Sequence, residues 1–117
     1  MRLFILVATV LLLSCATGNS YPSSSSILLR IQNDSWSLSR VRVYCADNLS
    51  HITTINGIGF TQTSSRRVRV PPACSAIQIE AMGHGQSSWS DPRAVVGSEV
   101  VCVRADSMMR LRWTVGC

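Results

Sequence analysis

Apolar and polar residues alternate with a period of two along most of the chain after residue 26. The alternation is clearest in residues 40–45, 67–70, 77–80 and 110–115. Successive side chains of a β-strand point to opposite faces, so each segment predicts a strand with one buried and one solvent face. About seven or eight such strands predict an all-β fold, a single antiparallel immunoglobulin-like β-sandwich. An open barrel is the alternative.

Three short segments between these strands carry turn signals. Asn56-Gly57 predicts a two-residue hairpin between residues 51–55 and 58–63, because both central positions of that turn need a positive φ. Gly97-Ser98 predicts a second hairpin between residues 93–96 and 99–104. Asp106-Ser107 is a third and weaker turn signal.

The N-terminus has a different pattern, with Arg2 followed by an apolar run over residues 3–13. A cation before a short apolar run and small residues is typical of an export signal. The run is too short for a membrane span, which needs about 20 apolar residues. We therefore expect an exported chain that does not cross the bilayer.

Two processing routes fit this segment. Residues 12–15, Leu-Leu-Ser-Cys, resemble the bacterial lipobox, in which the cysteine, here Cys15, is acylated and becomes the new N-terminus. The alternative is ordinary secretion after cleavage within residues 14–18. Glycosylation acceptor patterns beginning at Asn33 and Asn48 would fit a eukaryotic form of that alternative.

Cysteine parity favours lipidation. The chain has five cysteines, and acylation of Cys15 leaves an even set for two disulfides. Such cross-links contribute about 2–4 kcal/mol each to a small exported domain. The spacing contains no C-x2-C pair, so we expect no metal site and no cofactor. The disulfide candidates are Cys45, Cys74, Cys102 and Cys117.

Strand phase suggests how these cysteines pair. Cys45 is in phase with the buried positions of its strand, as Cys117 is with Trp113, whereas Cys102 is in phase with Arg104. A tight turn at residues 106–107 would leave Cys117 about 20 Å along the strand from Cys102. The expected bonds are therefore Cys45 with Cys117 and Cys74 with Cys102.

These observations divide the chain into a signal peptide (1–14), a lipidated serine-rich tether (15–26) and one β-sandwich domain (27–117). The tether has a reach of roughly 17–20 Å, so we expect the domain to work close to its membrane.

All eleven basic residues are arginine, and the formal net charge is +5. Pairs of arginines on the solvent faces of three strands would form one cationic stripe if those strands were neighbours. Arginine binds carboxylate or phosphate in bidentate fashion, which suits an anionic envelope component. The alternative is that outward arginines only keep the sheets soluble. The stripe candidates are Arg40, Arg42, Arg67, Arg69, Arg110 and Arg112.

Trp113 is in phase with core positions, whereas Trp36 and Trp89 lie in turn-like segments. Those two are either binding anchors on loops or lids over the open end of the sandwich.

Residues suited to catalysis are sparse. A Ser-His-Asp set would have to come from His84, Asp91 and a serine of residues 87–90, all within one segment. No phosphate-binding loop, zinc-protease motif or dinucleotide fingerprint occurs. Aromatic residues do not interleave with the arginines, so nucleic acid is not an expected partner. We expect no enzyme activity.

Residues 27–117, together with Ser14-Cys15, resemble small exported bacterial lipoproteins built on one β-sandwich. The features that carry the resemblance are Val43-Tyr44 in a strand, Pro71 closing a strand, and the glycine turn within residues 96–101. The resemblance implies an envelope protein held in the membrane by acyl groups on Cys15, sorted to the outer membrane because Ala16 is not aspartate. Its expected role is binding or assembly with another envelope protein or an anionic component. A freely secreted disulfide-stapled binder or inhibitor is the alternative.

Overall fold

A computed structural model describes residues 25–117, and these residues form nine β-strands and no helix. The all-β sandwich predicted from the alternation is confirmed, with nine strands rather than about seven or eight. No helix of the described residues is long and apolar enough to cross a membrane. The strands are β1 (Ser25–Asn33), β2 (Arg40–Cys45), β3 (His51–Asn56), β4 (Thr63–Val70), β5 (Ala76–Gly83), β6 (Gln86–Trp89), β7 (Arg93–Ala94), β8 (Val100–Ala105) and β9 (Leu111–Thr114).

The four-stranded sheet has the order β4-β1-β8-β9. β1 pairs antiparallel with β4 and parallel with β8, and β8 pairs antiparallel with β9. Alternate side chains of β1 are buried, namely Ile27, Leu29, Ile31 and Asn33. The strand is central because both of its edges are paired.

The five-stranded sheet has the order β3-β2-β5-β6, and β7 pairs with the same edge of β5 beyond the end of β6. Ser90 lies between β6 and β7 and is buried, and its Oγ accepts the Ile79 backbone N–H at 2.9 Å. The hydroxyl therefore replaces a ladder hydrogen bond where the edge strand is interrupted.

The inner faces of the two sheets supply the core, which is rich in valine and isoleucine. β-Branched side chains fit a pleated surface, and burying one contributes about 1.5–3 kcal/mol relative to exposure. Trp113 packs against the core as predicted, and its Nε1 donates to the Asp91 carbonyl at 2.7 Å. Val115, two residues further along, is fully exposed because β9 ends at Thr114.

Two of the three predicted turns are wrong. β3 and β4 belong to different sheets, so the segment after Asn56-Gly57 crosses the sandwich instead of closing a hairpin. Gly57 does have a positive φ of 72°. Gly97, with φ 62°, likewise lies in a crossover between β7 and β8. A positive φ depends only on the residue itself, so the sequence predicts it. Which strand the next segment pairs with depends on distant parts of the chain, so the sequence does not predict it.

The tight two-residue hairpin lies at His84-Gly85, where φ is 48° and 74° and Gly83 pairs with Gln86. The prediction of a turn near Asp106 is confirmed in a longer form. Residues 106–110 connect β8 to β9, and Asp106 Oδ1 accepts the backbone N–H groups of Met108 and Arg110.

The two disulfides join Cys45 to Cys74 and Cys102 to Cys117, so the expected pairing is wrong. The expectation assumed a two-residue turn, but the longer loop places Thr114 opposite Cys102. The chain bends after Thr114 and brings Cys117 to a Cα–Cα distance of 5.9 Å from Cys102.

The predicted signal peptide, the lipidation site Cys15 and most of the predicted tether lie outside the described residues. Ser25 and Ser26, expected in the tether, already pair with Val70 and Arg69.

Candidate functional site

The arginines predicted to form one stripe lie in three separate places. Those of β2 are on the five-stranded sheet, whereas β4 and β9 are opposite edges of the four-stranded sheet. The condition that the three strands are neighbours is therefore not met. The pairs are Arg40 and Arg42 on β2, Arg67 and Arg69 on β4, and Arg110 and Arg112 at β9.

The outer face of the five-stranded sheet is instead where polar and aromatic side chains collect. Strand registers arrange its side chains in three rows across β3, β2 and β5, and two of the rows extend onto β6. We call this surface the polar face. Its first row is Asn56, Arg40, Met82 and Ser87; its second is Thr54, Arg42, Glu80 and Trp89; its third is His51, Tyr44 and Gln78.

Three aromatic rings run across the polar face. The Tyr44 ring centroid lies 5.7 Å from that of His51 and 5.2 Å from that of Trp89. The Tyr44 hydroxyl donates to Glu80 Oε1 at 3.3 Å, and the His51 ring contacts Thr54 Oγ1. Trp89 is 45% exposed and lies on edge strand β6 rather than in the predicted loop.

A depression of about 550 Å³ opens at the end of the sheet that carries the His84-Gly85 hairpin. Arg40, Asn56 and Glu80 contribute to its lining, together with Gln86. Sequence reasoning singled out Arg40 and Trp89 but missed Tyr44, although Tyr44 has the same outward phase as Arg40.

The loops at this same end of the sandwich are organised by Asn33, whose side chain is fully buried. Asn33 Nδ2 donates to the carbonyls of Ile58 and Gly59 at 3.2 and 3.1 Å, and Oδ1 accepts the Ser35 N–H at 2.9 Å. One amide therefore ties the loop after β1 to the loop after β3.

These two loops present a stacked aromatic pair. The rings of Trp36 and Phe60 have centroids 5.2 Å apart and an interplanar angle of 17°. Trp36 is 78% exposed and Phe60 is 48% exposed. Trp36 is thus not a lid over the core. Phe60 was missed because its loop was expected to be a hairpin strand.

The residues considered for a Ser-His-Asp triad, His84, Asp91 and a serine of residues 87–90, are not brought together. His84 is exposed in the tight hairpin, and β6 separates it from Asp91 at the other end of that strand. The Ser90 hydroxyl is buried and bonded to backbone groups. His84 therefore forms part of the turn between β5 and β6, and Ser90 holds the end of edge strand β6 against β5.

One cluster of potential metal ligands occurs within the described residues, at Cys45, Asp47 and Cys74. The two sulfur atoms are bonded to each other. The Asp47 carboxylate accepts hydrogen bonds from the backbone N–H and hydroxyl of Ser75. The cluster is therefore a disulfide with a capped loop.

No family model and no curated protein matches this chain. Among solved structures, the chain is similar to one described as the NMR structure of the protein from Eubacterium rectale. The two share 14% sequence identity with a TM-score of 0.53, over 84% of this chain and 95% of that chain. At this identity the similarity concerns the fold alone.

Proposed function

We propose that this protein is a bacterial envelope lipoprotein, anchored by acyl groups on Cys15, that acts as a non-catalytic module for binding another envelope protein. The observation that carries the proposal is the exposed Trp36–Phe60 pair on loops tied together by buried Asn33. Exposed aromatic residues that are held in place are typical anchors of protein interfaces, because little side-chain entropy is lost on binding.

The direction of β1 supports this role. The strand enters the sandwich at Ser25 and reaches Asn33 at the other end, about 26 Å away at about 3.3 Å per residue. A chain anchored before β1 would hold the aromatic pair at the end of the domain away from the tether. The loop end would then be free to meet a partner.

The anchor is tested by mass spectrometry of the mature N-terminus from intact envelopes. We expect an acylated Cys15, with the protein in the outer membrane fraction. An unacylated start at Thr17 or Asn19 would contradict the lipoprotein assignment and support the secreted binder.

The binding surface is tested with a photo-crosslinking amino acid placed at Phe60 in intact cells. The matched control is the same amino acid at Leu49, which is 57% exposed at the opposite end of the sandwich. We expect one discrete protein adduct from position 60 that disappears in a Trp36→Ala background, and none from position 49. Equal adducts from both positions, or none from position 60, would refute the proposed surface.

We also propose that the sandwich is of immunoglobulin-like type. Support comes from the two facing sheets of mainly antiparallel strands and from the crossings between sheets after β1, β3, β4 and β7. An experimental structure tests this assignment. Strand connections that superpose on those of immunoglobulin domains would support it, and a different order of connections would contradict it.

A further inference from the structure

The polar face combines two kinds of group that together recognise one class of ligand. An exposed aromatic ring provides an apolar platform, and the side chains around it provide planar hydrogen-bonding groups. A pyranose ring has the matching surface, since its C–H bonds form an apolar face while its hydroxyl groups point outward around the rim. Trp89 lies on the edge strand, where a sugar ring can approach it from solvent.

The surroundings of Trp89 support a stacking role. Tyr44 packs against its ring at 5.2 Å, and Glu80 lies directly opposite it across the strand pair. Tyr44 is in turn fixed by its hydrogen bond to Glu80 and by its contact with His51. The platform is therefore held in place before any ligand arrives, which reduces the entropy lost on binding.

Charge narrows the class of sugar. The ion pairs within residues 25–117 join Arg93 to Glu99 and Arg104 to Asp34, so Arg40 and Arg42 are not paired with a carboxylate in that range. The polar face thus has two guanidinium groups and one carboxylate, with no ion pair to either guanidinium from residues 25–117. Guanidinium binds carboxylate in bidentate geometry, which favours an acidic sugar over a neutral one.

The depression adjoins the row of residues that contains Trp89, because the two share Glu80. Glu80 belongs to the row of Trp89 and also lines the depression, whose other walls include Arg40, Asn56 and Gln86. A volume of about 550 Å³ is within the range of small-ligand sites. A saccharide lying across the face would pass from the ring stacked on Trp89 over Glu80 to Arg40, which lies two strands away on β2.

We propose that the polar face binds acidic polysaccharide, with one pyranose ring stacked on Trp89 and the carboxylate of a hexuronic acid further along the same polysaccharide paired with Arg40. This site is separate from the Trp36–Phe60 pair and does not depend on acylation of Cys15. If the polar face bound no polysaccharide, the proposed function would be unaffected. If the lipoprotein or the Trp36–Phe60 surface were disproved, the saccharide site would be unaffected.

The test is calorimetric titration of the full mature protein with tetragalacturonate and with its fully methyl-esterified form. The ester keeps the pyranose rings and removes the negative charge. We expect saturable binding of the acid and about tenfold weaker binding of the ester. Equal affinity for the two would overturn the role of charge. Absence of saturation by about 10 mM, both with tetragalacturonate and with a hyaluronan hexasaccharide, would overturn the proposal itself.

Matched variants separate the two contacts. Trp89→Ala is expected to weaken binding of the acid and of the ester alike, by about tenfold, whereas Arg40→Gln is expected to weaken binding of the acid only. The controls are Trp36→Ala and Arg112→Gln, which remove an exposed tryptophan and an exposed arginine from other surfaces. Far-ultraviolet circular dichroism checks that each variant is folded. Unchanged affinity in Arg40→Gln, or equal losses in a variant and its control, would overturn the assignment.

Discussion

Replacing Asn33 by alanine tests whether one buried amide organises the loop end. The substitution removes the donor to the carbonyls of Ile58 and Gly59 and the acceptor of the Ser35 N–H. The site excludes water, because the Asn33 side chain is fully buried. The Ile58 carbonyl and the Ser35 N–H then lose their partner, whereas the Gly59 carbonyl loses one of two bonds and keeps the Gln62 N–H at 3.1 Å.

The magnitude follows from these three bonds. A protein hydrogen bond contributes about 0.5–1.5 kcal/mol net, and a buried group left without a partner costs about 1–3 kcal/mol. We therefore expect Asn33→Ala to lower the free energy of unfolding by about 3–4 kcal/mol. This is a large part of the total of about 5–15 kcal/mol that is usual for a domain.

Asn48→Ala is the matched control. Asn48 Oδ1 likewise accepts the N–H two residues later, that of Ser50, but in an exposed loop at the other end. Water replaces the lost bond there, so we expect a loss below about 1 kcal/mol. Comparing the two variants separates the effect of burying the amide from the effect of the local turn, which both asparagines form.

Urea unfolding under non-reducing conditions, followed by tryptophan fluorescence, measures both variants. In the amide NMR spectrum we also expect the indole N–H signal of Trp36 to shift in Asn33→Ala and to stay in place in Asn48→Ala. Equal losses of stability in the two variants would refute the reasoning, because the amide would then be only a local turn former.

The remaining predictions concern the cross-links and one close backbone approach. Replacing both Cys102 and Cys117 by alanine should cost about 3 kcal/mol in non-reducing urea unfolding, as expected for a bond that closes a loop of 15 residues; a change below about 1 kcal/mol would contradict this value. Peptide mapping without reduction should recover Cys102 linked to Cys117, and a link from either to another cysteine would contradict the structure. Gly83→Ala should lower stability by about 3 kcal/mol in thermal unfolding, because its Cβ would lie 1.6 Å from the Ser37 carbonyl oxygen. Gly116→Ala should be neutral, because an added Cβ meets nothing within 4 Å there. If Gly83→Ala were as neutral as Gly116→Ala, loop residues 34–39 would have to move aside without cost, which would contradict the prediction.

Much of the fold could be predicted because strand alternation is a local signal. The inward phase of Val41, Val43 and Cys45 follows from the outward phase of Arg40 and Arg42. The same phase puts Tyr44 on the outer face, so the one residue that β2 contributes to each row of the polar face could have been predicted. The neighbours contributed by β5 and β6 could not, because they depend on which strands pair.

The sequence by itself determined that the domain is built of strands with defined inner and outer faces, since each side chain's face depends only on its position in its own strand. It also predicts the export signal and the use of Cys15, which lie outside the described residues. The tertiary structure alone decided that Gly57 and Gly97 begin crossovers rather than hairpins, and that Cys45 meets Cys74. A glycine allows a turn in either case, and the choice rests on which arrangement of distant strands buries the apolar faces best. The gathering of Arg40, Glu80 and Trp89 on one surface has the same origin, because strand order joins residues that are far apart in the chain.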